Sequence, residues 1–236
     1  MKGLTADKLL MMTAKDLSEN IAKHVEECPE RISTMIGHLN LLDFWSENLV
    51  DTPTNVILQE IGYDLLSSIY ICTNGMYRNA YISLRSAIEL GMGFFYFTDH
   101  NYDFLEWQRN KFDLTWSRLN DYEKGVLSKK YLSIFNEKFN SEVYIELVSE
   151  IYRECSEYVH GKYAYMHSIE SQRIIFNKEK FINWSDMFIK LTEMILILLT
   201  VRFKGKLVML NEYQLESIND IFKKLGFREL IIENEH

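Results

Sequence analysis

The chain has 236 residues, 47% of them apolar and 25% charged, which excludes a disordered tail, a collagen-like chain and a low-complexity polymer. Its net charge of -8, from 26 basic and 34 acidic residues, excludes a protein that holds duplex nucleic acid by its overall field and leaves room only for a local basic groove. Two prolines and ten glycines are few breakers, so composition points to an all-α protein with long helices.

In chain order, Leu4 to about Cys28 reads as a first helix stopped by Pro29, and Glu30 to about Val50 as a second with Met35, Leu39, Leu42 and Leu49 on one stripe. Thr52-Pro53 has the form of an N-cap followed by proline at the first helical position, and opens a helix that runs to Asn74-Gly75. The turn there is so short that the next helix, Met76 to about Phe97, must return antiparallel. That helix is apolar on most sides and is expected to be the central, most buried one.

From Tyr102 to Lys138 the chain is locally basic, and its aromatic residues recur at spacings near three and four. This predicts an amphipathic helix pair with a solvated face; the alternative is a track of cations and stacking rings for RNA. Ser141 is a plausible N-cap for a helix ending at His160-Gly161, with glycine just past the end. Lys162 to Asn177 reads as a surface loop, Lys178 to about Lys204 as another long helix, and Glu212 to Leu225 as a last one closed by Gly226. One domain, 1–236, is expected, with a helical extension over 1–50, a bundle core over 54–201 and a C-terminal helix and tail over 205–236.

Cys28, Cys72 and Cys155 are far apart and include no CxxC pair, so a disulfide framework or thiolate zinc site is not expected, and a reducing, cytoplasmic setting fits them. No apolar run approaches the roughly 18 residues of a membrane span, and the apolar run near the start is too short for a signal peptide, so no membrane contact is expected. No nucleotide-binding glycine loop, HExxH or GxSxG is present, and no two histidines lie at i, i+4, so neither a cofactor nor a metal is expected.

Two segments stand out: RNAYISLRSAIELG, Arg78 to Gly91, and YRECSEYVHG, Tyr152 to Gly161. Arg153 and His160 are seven residues apart, about 20° short of two full helical turns, so they share one face. Leu147, Ile151, Cys155, Tyr158 and Val159 form a sector about 160° away that should face the core, while Ser149 and Ser156 share the Arg/His side. Arg31 and His38 have the same separation, but their face lies beside the apolar stripe of their helix, which marks that pair as accidental. On the preceding segment Arg78, Arg85 and Glu89 lie close together on an otherwise greasy helix, where buried charges need partners.

An arginine, four to six intervening residues and a histidine near a helix end, in an all-α protein of this size, resembles the HEPN superfamily of helical domains. The likeness is to members with an LRxxxE helix followed by YxxxSxxVHG, here Leu84, Arg85 and Glu89, then Tyr152, Ser156, Val159, His160 and Gly161; it covers roughly Thr54 to Val201. The resemblance implies a HEPN-like up-and-down bundle acting as a metal-independent endoribonuclease in toxin–antitoxin, abortive-infection or antiphage defence. Its expected partners are RNA, a second copy of the chain, and an antitoxin or defence protein. Arg153 and His160 would be catalytic, with Arg78, Arg85, Glu89, Ser156, Glu157 and Tyr163 binding substrate or supporting the site. A two-fold dimer would put two Arg/His pairs in one cleft.

The sequence departs from that pattern at Glu154, where an Asn, Asp or His often follows the arginine. It departs again at Lys162, where antitoxin-modified members have a tyrosine; Tyr163 is one position later. The reading from another class is a non-catalytic helical interaction or regulatory module.

Overall fold

The computed structural model describes residues 5–166 and 174–227, and among these every regular element is helical. The order is α1 (Ala6–Glu27), α2 (Pro29–Asn48), α3 (Asn55–Thr73), α4 (Tyr77–Asp99), α5 (Asn101–Gln108), α6 (Trp116–Leu119), α7 (Lys129–Phe135), α8 (Ser141–Val159), α9 (Lys178–Arg202) and α10 (Glu212–Lys224). Short 3-10 turns occupy Tyr163–Tyr165 and Lys204–Met209. No helix is long and apolar enough to cross a membrane.

The boundaries follow local chemistry. Pro29 opens α2, since a missing N–H costs nothing in a first turn. Pro53 does not open α3 as its sequence context suggests: residues 49–54 form turns, and Thr54 takes the N-cap position without a capping side-chain bond. The Thr54 hydroxyl instead meets Thr98 at 2.8 Å, tying the start of α3 to the end of α4. The cap of α8 is Asn140, whose side chain accepts from the Val143 N–H, and Ser141 is the first helical residue. The expected helix pair over Tyr102–Lys138 is three short helices joined by irregular chain.

Helix α4 is the centre of the molecule, with Tyr77, Tyr81, Leu84, Ile88 and Phe94 to Phe97 buried. Gly91 lets α9 close against it, because a Cβ there would lie 2.7 Å from Ile195 Cδ1. Every residue from Leu191 to Thr200 on α9 is buried. Helices α3 and α8 pack on different sides of α4. Asp64 of α3 bonds Ser86, while Tyr81 stacks on Tyr158 of α8 with centroids 3.6 Å apart. The three cysteines are buried free thiols, and burial pushes the Cys155 thiol up to about 12, so it is inert packing.

Candidate functional site

Polar side chains of two helices meet at the part-buried seam between α4 and the C-terminal half of α8. The core stripe of α8 is Tyr144, Val148, Ile151 and Cys155. Tyr144 fixes it by donating to the Met194 carbonyl of α9 at 2.9 Å. This corrects the sector expected from sequence: Leu147 is only partly buried and Val159 is exposed. With that stripe inward, Tyr152 and Ser156 turn toward α4, and Arg153 turns away from it.

Arg85 is the hub of the seam. Its Nε donates to the Ser156 hydroxyl at 2.8 Å, one terminal nitrogen donates to the Tyr152 hydroxyl at 2.6 Å, and the other pairs with Glu89 one turn along α4. Ser156 donates in turn to the Tyr152 carbonyl at 2.7 Å. The guanidinium carbon lies 4.1 Å from the Tyr152 ring centroid, and Trp116 stacks on that ring at 3.6 Å and 9°. Burial raises the Tyr152 phenol above its ordinary range, so it stays a neutral hydroxyl. The sequence places Arg85 beside Glu89, but it put Ser156 on the Arg153/His160 side of α8 rather than against α4, and it missed Trp116, whose position on a four-residue helix gives no phase to read.

Arg78 serves the end of α8. Its Nε donates to the Tyr158 carbonyl at 3.0 Å, placing a cation on the negative end of the helix dipole. Gly161 ends the helix at φ 62°, and a Cβ there would stand 3.0 Å from an Arg78 nitrogen, so both backbone and space call for glycine.

Arg153 and His160 are both exposed, and neither side chain makes a hydrogen bond or ion pair among the described residues. His160 continues the helical path as C-cap at φ -74° and ψ -1°, so the pair shares one side of α8 about 10 Å apart along its axis. Glu157 does not join Arg153; it pairs with Lys162 beyond the helix end. Tyr163 is exposed in the following turn, and residues 167–173 of the expected loop lie outside the described residues.

The same outer side of α8 carries Glu142, Glu146 and Glu150 toward its N-terminus. Glu142 is taken up by Lys129, while Glu146 and Glu150 keep that half of the face acidic. At the helix end Arg153, Arg78 and Lys162 stand among Glu154 and Glu157, with Lys162 paired to Glu157 and Arg78 turned to the Tyr158 carbonyl. No family model, no curated protein and no solved structure matches the chain. Its chemistry has to be read from its own side chains.

Two other clusters are structural. Arg31 meets Asp186 and Ser185, and His38 is buried against Thr192 with its pKa lowered to about 4 by burial and by the nearby Lys224 charge, so this Arg/His pair is no site. Part of the positive charge of the middle segment is taken up within the chain: Lys130 pairs with Glu123 at 2.6 Å, Lys129 pairs with Glu142, and Arg118 lies over Phe112 at 4.4 Å. Among the described residues no three His, Cys, Asp or Glu side chains are gathered where they could hold a metal ion.

Proposed function

We propose that the chain is a HEPN-like helical bundle acting as a metal-independent endoribonuclease, a toxin or effector of a bacterial defence or toxin–antitoxin system. The observation that carries the reading is the position of Arg153 and His160: both open to solvent and on one side of α8, two helical turns apart.

The roles follow from the groups. His160 takes the proton of an RNA 2′-hydroxyl, whose oxygen attacks the adjacent phosphorus. The planar donor fork of Arg153 holds the non-bridging oxygens as charge builds on them. The P–O5′ bond breaks, leaving a 2′,3′-cyclic phosphate and a 5′-oxygen that takes its proton from water on this open face. Tyr163 offers a ring on which a base can stack. Glu146 and Glu150 repel phosphate from the rest of the face, confining RNA to the helix end. Arg85 and Glu89 act by holding α8 in place. The protein works in the cytoplasm as a homodimer, neutralised by an antitoxin or defence-system partner.

A second reading, a non-catalytic interaction module, is favoured by the acidic half of the α8 face and by the closure of Arg85 and Glu89 on their own chain. Incubating the protein with total RNA in EDTA separates the two. The nuclease reading expects chelator-resistant cutting that His160→Ala abolishes; equal cutting by the variant, or none by either, leaves the module.

A further inference from the structure

The His160 side chain makes no hydrogen bond or ion pair among the described residues, so its place depends on the backbone that carries it. That backbone is the loose end of α8. The His160 N–H donates to the Ser156 carbonyl at 2.9 Å, but the Gly161 N–H reaches the Tyr158 carbonyl only at 3.4 Å, long for a hydrogen bond. Past Gly161 the chain turns on itself, with the Tyr165 N–H donating to the Lys162 carbonyl at 2.9 Å and the Met166 N–H to the Tyr163 carbonyl at 3.2 Å.

The last carbonyls of a helix need partners from outside it, and without them the end frays. Here the partner comes from the first turn of α4. Arg78 Nε donates to the Tyr158 carbonyl at 3.0 Å, a shorter bond to that oxygen than the one α8 makes to it through Gly161. A Cβ built on Gly161 would stand 3.0 Å from an Arg78 terminal nitrogen, so the same guanidinium also lies against the residue after His160. One side chain thus holds the chain on both sides of His160.

We propose that Arg78 is the positioning residue of the site: it fixes the terminal turn of α8 and with it the place of His160 relative to Arg153. The catalytic consequence rests on the nuclease reading; the hold on the turn rests on the structure alone.

Arg78 is well placed for this because its own turn is fixed. Next to it, Tyr77 is buried, with its hydroxyl 3.0 Å from His24 Nε2 and accepting the Asn177 N–H at 2.7 Å, which ties the start of α4 to α1 and to the N-cap of α9. One turn on, Tyr81 stacks on the Tyr158 ring at 3.6 Å and 6°, so α4 grips both the ring and the carbonyl of one residue. Arg153 needs no such help. It lies two turns back in a continuous helix whose stripe, Tyr144, Val148, Ile151 and Cys155, is buried. The other tie at the helix end, Lys162 with Glu157, holds a residue beyond Gly161, and its lysine is largely exposed, where an ion pair adds little.

A general base has to stand within hydrogen-bond reach of the 2′-hydroxyl, and a displacement of about 1 Å costs up to about 100-fold in rate. Amide hydrogen exchange by NMR, and kcat and KM for RNA cutting, test the assignment in Arg78→Met, which keeps the stem of the side chain and loses the donor. The expected result is exchange about tenfold faster at His160 and Gly161 with the rest of the chain unchanged, the factor set by one hydrogen bond from a charged donor, and kcat lower by about tenfold or more at constant KM. Arg78→Lys, which keeps a cation and a donor, should fall between the Met variant and wild type in both readouts. Unchanged exchange at the turn, a rise in KM at constant kcat, or faster exchange throughout the chain overturns the proposal: the turn would be held without Arg78, or Arg78 would act on the substrate, or it would be a general stabiliser. If wild type cuts no RNA while exchange in Arg78→Met rises at the turn alone, the nuclease reading fails and the hold of Arg78 on the turn stands.

Discussion

Replacing Arg85 by alanine is expected to cost about 3–4 kcal/mol of stability. Two of its nitrogens donate to neutral, part-buried oxygens at 2.8 and 2.6 Å, and because water can reach those partners each bond is worth about 1.5 kcal/mol, the low end for a charged donor. The Glu89 pair is part-exposed and adds about 0.5 kcal/mol. In a protein of this size that loss lowers the melting temperature by roughly 10 °C. Arg85→Lys keeps the charge for Glu89 but cannot present a fork to Ser156 and Tyr152, and should cost about half as much. Urea unfolding followed by circular dichroism measures both variants, and a cycle with Tyr152→Phe should give a coupling energy above about 1 kcal/mol. Arg85→Ala within about 1 kcal/mol of wild type, with RNA cutting lost at full folding, would refute the reasoning and place Arg85 on the substrate.

Acid should destabilise the fold through His38. Its folded pKa of about 4 lies below the ordinary 6.5, so the native state stays neutral while the unfolded chain takes a proton. Its contribution is present above pH 6.5 and fades toward pH 4, by about 3 kcal/mol in all. Urea midpoints at pH 7, 5.5 and 4.5 should fall in that order, and His38→Gln should flatten the trend; an equally steep fall in the variant would remove His38 as its source. Gly161→Ala should cost about 1–2 kcal/mol, because alanine at φ 62° is strained and its methyl presses on Arg78. A melting temperature equal to wild type would mean that Arg78 moves aside without cost.

What the sequence revealed tracks the range over which each signal acts. The long helices announce themselves through 3.6-residue periodicity and end signals such as Gly75, Gly161 and Gly226, all of which have positive φ. The central place of α4 follows from its lack of a wet side. In the middle segment the aromatic spacing mimics helix phase without a helix beneath it. Phe97, Phe104, Trp107 and Phe112 do form a cluster, but across α4, α5 and a loop rather than along one helix.

At the candidate site, Arg85 and Glu89 were legible as neighbours on one side of α4, while Ser156 was expected on the Arg153/His160 side of α8 and instead turns to α4 beside Tyr152. Whether those groups face substrate or one another was not legible, since that depends on hydrogen bonds between residues 67 to 71 positions apart.

The most direct measurement is a single-turnover assay in EDTA on a short RNA and on the same oligonucleotide with a 2′-deoxy residue at the cut position. A general-base role for His160 with Arg153 as phosphate clamp predicts cutting of the RNA alone, products ending in a 2′,3′-cyclic phosphate and a 5′-hydroxyl, and loss of both with His160→Ala or Arg153→Ala. Cutting of the deoxy substrate, 5′-phosphate products, or undiminished activity in either variant would contradict it.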